Sequence, residues 1–200
     1  MKHAPRLAAL VAAAALTLTA CGGGDHSASS GATVPASAAF NDADVAFATD
    51  MIPHHAQALA MVDLTRGRDL DPAFERLSQQ ILDAQGPEIE TMKGWLVDWD
   101  QPVPETSRDH LHADAGGMSM GAGDMPGMMS DQEMAGLDAA GDATFEDMWL
   151  RMMIRHHEGA IEMARTEQTD GEYADAVSLA DDIETAQAHE ITQMKAMLAG

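Results

Sequence analysis

The pattern Met-Ile-x-His-His-x-x-Ala-x-x-Met occurs twice in this chain, at Met51 to Met61 and again 102 residues later at Met153 to Met163. A second block obeys the same offset. Leu77, Ile81, Ala84, Gln85, Glu88, Ile89, Met92, Lys93 and Leu96 recur as Leu179, Ile183, Ala186, Gln187, Glu190, Ile191, Met194, Lys195 and Leu198. Two blocks in register at one offset mark an internal duplication. Within each block apolar residues return every three or four positions, and no stretch has the alternation or β-branched enrichment of a strand. Each half therefore reads as a helical hairpin. Two hairpins that must each bury an apolar stripe predict an all-α four-helix bundle with pseudo-two-fold symmetry.

Helix signals set the organisation. The first helix opens at Asn41 or Asp42 and stops near Arg66, before Gly67; the second opens at Asp71-Pro72 and runs to about Trp99. The third covers roughly Ala143 to Thr166 and the fourth Gly171 or Glu172 to Leu198, while Ser130 and Glu133 have the spacing of a capping box on a short extra helix. The expected domain is 40–200, with hairpins 40–100 and 143–200 and a connector over 101–142. Ahead of it, Lys2 and Arg6 precede an apolar run from Leu7 to Thr19, and Leu18-Thr19-Ala20-Cys21 resembles a bacterial lipobox. This predicts a signal peptide over 1–20, a lipid on Cys21, and a Gly/Ser/Ala-rich spacer over 21–39 tethering the domain to the outer side of a membrane, in the periplasm or at the cell surface. An ordinary secretory signal with an incidental cysteine is the alternative. Either way no second cysteine exists for a disulfide, and a thiolate metal site is excluded. With 33 acidic against 11 basic residues, nucleic acid is excluded as a partner, whereas cations are attracted.

At about 100° per residue, Phe47, Met51, His54, His55, Ala58, Met61 and Val62 share one face of the first helix. Leu77, Ile81, Ala84, Glu88, Met92, Trp95 and Trp99 form the expected inward stripe of the second. Folding the hairpin about 67–71 sets Met51 level with Glu88, and the histidines level with Gln85. The second half repeats this with Met153, His156, His157, Met163, Gln187, Glu190 and Met194. Four imidazoles and two carboxylates in a bundle core are costly to bury unless paired or metal-bound. One reading is a structural layer in which each Glu accepts from a His. The other is a metal site, and imidazole with thioether suits Cu(I), and by extension Ag(I), over calcium, magnesium or manganese. Its candidate ligands are Met51, His54, His55, Met61, Met92, Met153, His156, His157, Met163 and Met194, with Glu88 and Glu190 behind them. Pro53 and Pro87 kink the first hairpin near the site, but their repeat positions are Arg155 and His189, so the halves need not be equivalent.

The connector holds the remaining sulfur: Met118, Met120, Met125, Met128, Met129 and Met134 among Gly, Ser, Asp and Pro, with His110 and His112 just before. In so polar a stretch these methionines are not expected in the core. They form either a secondary, flexible thioether site, with Met118, Met120, Met125, Met128 and Met129 as ligands, or the drift of a tolerant linker.

The motifs MIPHH at Met51 to His55, MIRHHEGAIEMA at Met153 to Ala164 and MPGMMSDQEMAGL before it resemble the family catalogued as domain of unknown function 305, over about residues 40 to 200. The resemblance implies a ferritin-like four-helix bundle, often exported, binding copper or silver through His and Met. The first half departs from the second in carrying Ala56-Gln57 where the second has Glu158-Gly159. Three functions compete: Cu(I)/Ag(I) sequestration or delivery without catalysis, a metal-dependent redox enzyme, and a structural lipoprotein. A di-iron enzyme would need the Glu-x-x-His motif of such bundles, which is missing here.

Overall fold

The computed structural model describes residues 39–105 and 125–200. The signal peptide, Cys21, His110, His112, Met118 and Met120 lie outside the described residues. Helix α1 spans Asp42–Asp63, α2 Pro72–Asp98, α3 Asp131–Asp138, α4 Asp142–Asp170 and α5 Ala174–Leu198. Among the described residues there is no strand, and no helix is long and apolar enough to cross a membrane.

Local chemistry explains where the helices start. Asn41 and Asp44 form a reciprocal capping box, as do Ser130 and Glu133, so the first free N–H groups of α1 and α3 find side-chain acceptors. Asp71 caps α2, and Pro72 takes the first helical position, where its missing N–H costs nothing. Both α1 and α2 continue through their internal prolines, Pro53 and Pro87.

The direction of each helix follows from its contacts. Asn41 Nδ2 donates to the Asp170 carbonyl at 2.8 Å, and Trp149 Nε1 donates to the Met61 carbonyl at 2.9 Å. The start of α1 thus meets the end of α4, and its end meets the start of α4: the two are antiparallel. Since α1 is also antiparallel to α2, and α4 to α5, the bundle runs up, down, down, up. The connection between α2 and α4 must travel the length of the bundle, the crossover of a ferritin-like fold.

Two apolar clusters fill the interior. One holds Met61, Phe74, Leu77, Ile81, Phe145, Trp149, Met153, Ile191 and Met194. The other holds Phe47, Met51, Ile52, Ile89, Met92, Leu96, Ala160, Ala176 and Ile183. On each long helix the residues of one cluster give way to those of the other around a buried polar position, and those positions make the site.

Candidate metal centre

His54 and His55 of α1, Gln85 of α2, His156 and His157 of α4, and Gln187 of α5 form a buried polar layer between the two clusters. All four histidines are 0% exposed, and the glutamines 2% and 3%. The layer obeys the duplication: His54 and His156 are repeat counterparts, and their rings lie together at 3.8 Å between centroids. Because α1 and α4 are antiparallel there, the pseudo-two-fold axis passes between these rings. The flanking pairs repeat just as closely. His55 Nε2 lies 2.7 Å from Glu88 Oε2, and His157 Nε2 lies 2.7 Å from Glu190 Oε2.

Partner chemistry fixes the tautomers. A carboxylate or a carbonyl can only accept, so a neutral ring facing one must carry its proton on the facing nitrogen. Nε2–H of His55 donates to Glu88, that of His157 to Glu190, and that of His54 to the Pro126 carbonyl at 3.1 Å. The Nδ1 atoms of these three rings are buried and without a hydrogen-bond partner among the described residues; His156 has none at either nitrogen. Burial, with the neighbouring His55 adding to it, holds the His54 pKa down at about 3, and burial next to His54 and His157 drives His156 well below the usual range. Both rings are therefore neutral at physiological pH, the form in which imidazole binds metal.

Methionines stand on both sides of the layer. Met51 and Met92 belong to one cluster, and their counterparts Met153 and Met194 to the other; all four are 0% exposed. Met61 is equally buried, whereas its counterpart Met163 is half-buried against the second cluster. Among the described residues no three His, Cys, Asp or Glu side chains converge as a metal site. The layer itself carries imidazole and amide groups, and the methionines lie in the apolar clusters on either side of it.

Three expectations need correction. The α1–α2 hairpin is shifted by about one turn, so His55 meets Glu88 rather than lying level with Gln85. The cause is the reversal: α1 ends at Asp63 and a chain of turns from Leu64 leads to the Asp71 cap. The α2 stripe is also rotated. Gln85, Ile89 and Leu96 face inward, while Ala84, Glu88 and Trp95 lie only half-buried at its edge. Finally, two connector methionines do join the core, Met129 at 0% and Met134 at 6% exposure. Met129 reaches it because both of its backbone groups are satisfied by the buried amide of Gln57. Its sulfur lies 2.7 Å from Arg155 Nη2, a cationic neighbour that disfavours a metal ligand there. Met125 and Met128 stay half-buried. Gln187 was legible as the repeat counterpart of Gln85, whereas Gln57 carried no signal beyond its place near the histidines.

A duplicated antiparallel bundle with a His layer on its pseudo-two-fold axis, flanked by paired methionines, defines a ferritin-like helical protein. The chain belongs to the family described as domain of unknown function (DUF305), which matches residues 44–198. It is similar to a DUF305 fragment from Deinococcus radiodurans, at 30% identity and a TM-score of 0.68 over 80% of this chain and 97% of that one. A DUF305 protein from Streptomyces coelicolor is similar at 31% identity and a TM-score of 0.66, over 78% and 91%. So is CopM in its Cu(II)-bound form, at 30% identity and a TM-score of 0.62, over 78% and 95%. Among curated proteins none matches the chain.

Proposed function

We propose that this protein binds Cu(I) or Ag(I) outside the cytoplasm and sequesters or delivers it as cargo, without catalysing a reaction. The observation that carries this reading is the set of fully buried histidines whose Nδ1 atoms have no hydrogen-bond partner among the described residues, with Nε2 held by an outer acceptor at His54, His55 and His157. Metal-ligating histidines have this arrangement, with the second nitrogen oriented by a carboxylate or carbonyl. The ligand set would be drawn from His54, His55, His156 and His157 with Met51, Met61, Met92, Met153, Met163 and Met194. Glu88 and Glu190 would hold their rings. Thioether combined with imidazole as the ligand set favours a soft monovalent ion over Zn(II) or Fe(II). CopM, similar to this chain at 30% identity, is described in Cu(II)-, Cu(I)- and Ag-bound forms. Met125 and Met128, with Met118 and Met120, form a secondary thioether site in this reading. The apolar N-terminal run and the lipobox-like Cys21 support export and lipid anchoring.

A purely structural polar layer is the second reading, and the two His–Glu pairs favour it. It leaves the Nδ1 atoms and the amide oxygens of Gln85 and Gln187 without partners among the described residues, at about 1–3 kcal/mol for each unsatisfied buried group. Metal analysis after equilibrium dialysis separates the two. The mature protein is expected to retain Cu(I) and Ag(I) and to release Zn(II) and Fe(II). Replacing His54, His55, His156 and His157 together should remove the tight sites, and unchanged stoichiometry would sink the core-site reading. Met51→Leu with Met153→Leu, a conservative pair, should weaken Ag(I) while sparing the fold.

A further inference from the structure

The halves of the duplication differ where residues 125–130 cross the bundle. Here the crossover lies against α1 and α4 at the height of the polar layer. Gln57 of α1 grips it with both ends of its amide: Nε2 donates to the Met129 carbonyl at 2.8 Å, and Oε1 accepts the Met129 N–H at 2.7 Å. The position 102 residues later, on α4, is Gly159, and a Cβ there would collide with the Pro126 carbonyl and the Gly127 backbone. Gly127 itself has φ +76°, and a side chain on it would strike the Arg155 and His156 carbonyls. Arg155, whose counterpart is Pro53, reaches Met129 Sδ and, at 2.5 Å, Glu133 Oε1 on α3. A single segment can lie on only one side of the His54–His156 axis. One half must therefore grip it while the other makes room, and the Gln57/Gly159 and Pro53/Arg155 differences fall there. The two histidines on the axis differ accordingly: His54 Nε2 is held by the Pro126 carbonyl, and neither ring nitrogen of His156 has a comparable hydrogen bond among the described residues.

We propose that residues 125–130 are a positioning strap for the metal site: the Pro126 carbonyl, held by Gln57 and admitted by Gly159, keeps the His54 Nε2–H outward and presents its Nδ1 to the ion. The inference rests on the metal-binding reading above and adds to it the element that orients one ligand. Gln57 and Gly159 are positioning residues in this scheme; neither touches the ion.

Gly159→Ala and Gln57→Ala test it without altering a histidine. The first expels the strap by collision and improves the helix propensity of α4; the second releases it by removing the amide grip. In the metal-free protein, long-range proton–nitrogen NMR reads the tautomer of each imidazole. The wild type is expected to hold His54 as a single Nε2–H form, and both variants a mixture. Ag(I) affinity at the core should fall about 10- to 100-fold in both, the usual effect of losing an outer partner of a metal-bound histidine. A single Nε2–H tautomer persisting in both variants would overturn the proposal, as would mixed tautomers with unchanged Ag(I) affinity. Absence of core Ag(I) binding in the wild type would instead overturn the metal-binding reading, and the metal-free tautomers would still report whether the strap orients His54.

Discussion

At the scale of single residues, two acids share a buried site where α1 begins and α4 ends. Asp44 is 0% and Glu167 1% exposed. Burial pushes Asp44 up, but hydrogen bonds from Glu167 and from the backbone N–H groups of Asn41, Tyr173 and Glu172 outweigh it and hold it below its usual value. Glu167 has no donor of its own, and burial, the bond to Asp44 and the charges of Asp44 and Asp170 push it up to about 8. It therefore carries the shared proton in the folded state. A carboxyl with a raised folded pKa contributes stability that is complete below its unfolded pKa and is lost as pH rises through about 8. Glu167→Gln keeps the donor without the titration. Thermal unfolding should show the variant gaining on the wild type by several degrees between about pH 5 and about pH 9; parallel curves would rule the shared proton out. The sequence had no sign of this pair, because Glu167 has Thr65 as its repeat counterpart and meets Asp44 only through the α1–α4 contact.

At the scale of elements, Arg68 ties the α1–α2 turn to the ends of α3 and α4. Its guanidinium donates to the carbonyls of Leu64, Ala140 and Asp138 at 2.8, 2.7 and 2.8 Å, and lies 3.9 Å from the centre of the Phe145 ring. Two of those carbonyls are at the C-terminal end of α3, which has no basic residue of its own there. A lysine cannot span three acceptors and stack on a ring at once. Arg68→Lys should lower the urea midpoint by an amount equivalent to about 1–3 kcal/mol, and hydrogen exchange should quicken in α3 before the long helices. Unchanged protection of α3 would show that Arg68 is not its anchor. Periodicity and capping residues made the helices legible, since each rests on neighbours in sequence. The hairpin offset and the rotation of α2 were not, because both depend on how the turn after Asp63 packs. Nor was the burial of Met129: Gly127, Gly159 and Gln57 are unremarkable letters until the crossover brings them together.

At the scale of the whole molecule, the duplication made the architecture and the membership of the polar layer readable, because residues repeated at one offset had to occupy equivalent places. The layer takes side chains from both hairpins, which otherwise meet mainly through α1 and α4. An ion held there would add a tie between them and so stabilise the native state. At a free ion concentration about 100 times Kd, the linkage contributes about 2.7 kcal/mol, which in a chain of this size raises Tm by about 5–10 °C. Two effects must be separated from it. A net charge of −22 lets any cation screen repulsion, so the measurement belongs at about 0.15 M salt, where the Debye length is about 8 Å. The unfolded chain, with its 16 Met and 9 His, also takes up soft ions, which reduces the shift rather than imitating it. Calorimetry with Ag(I) should therefore show a rise in the wild type that is lost when His54, His55, His156 and His157 are replaced, and none with Ca(II) at the same concentration. An equal rise in wild type and variant would assign the effect to the surface or the connector, and leave the buried histidines as a structural layer.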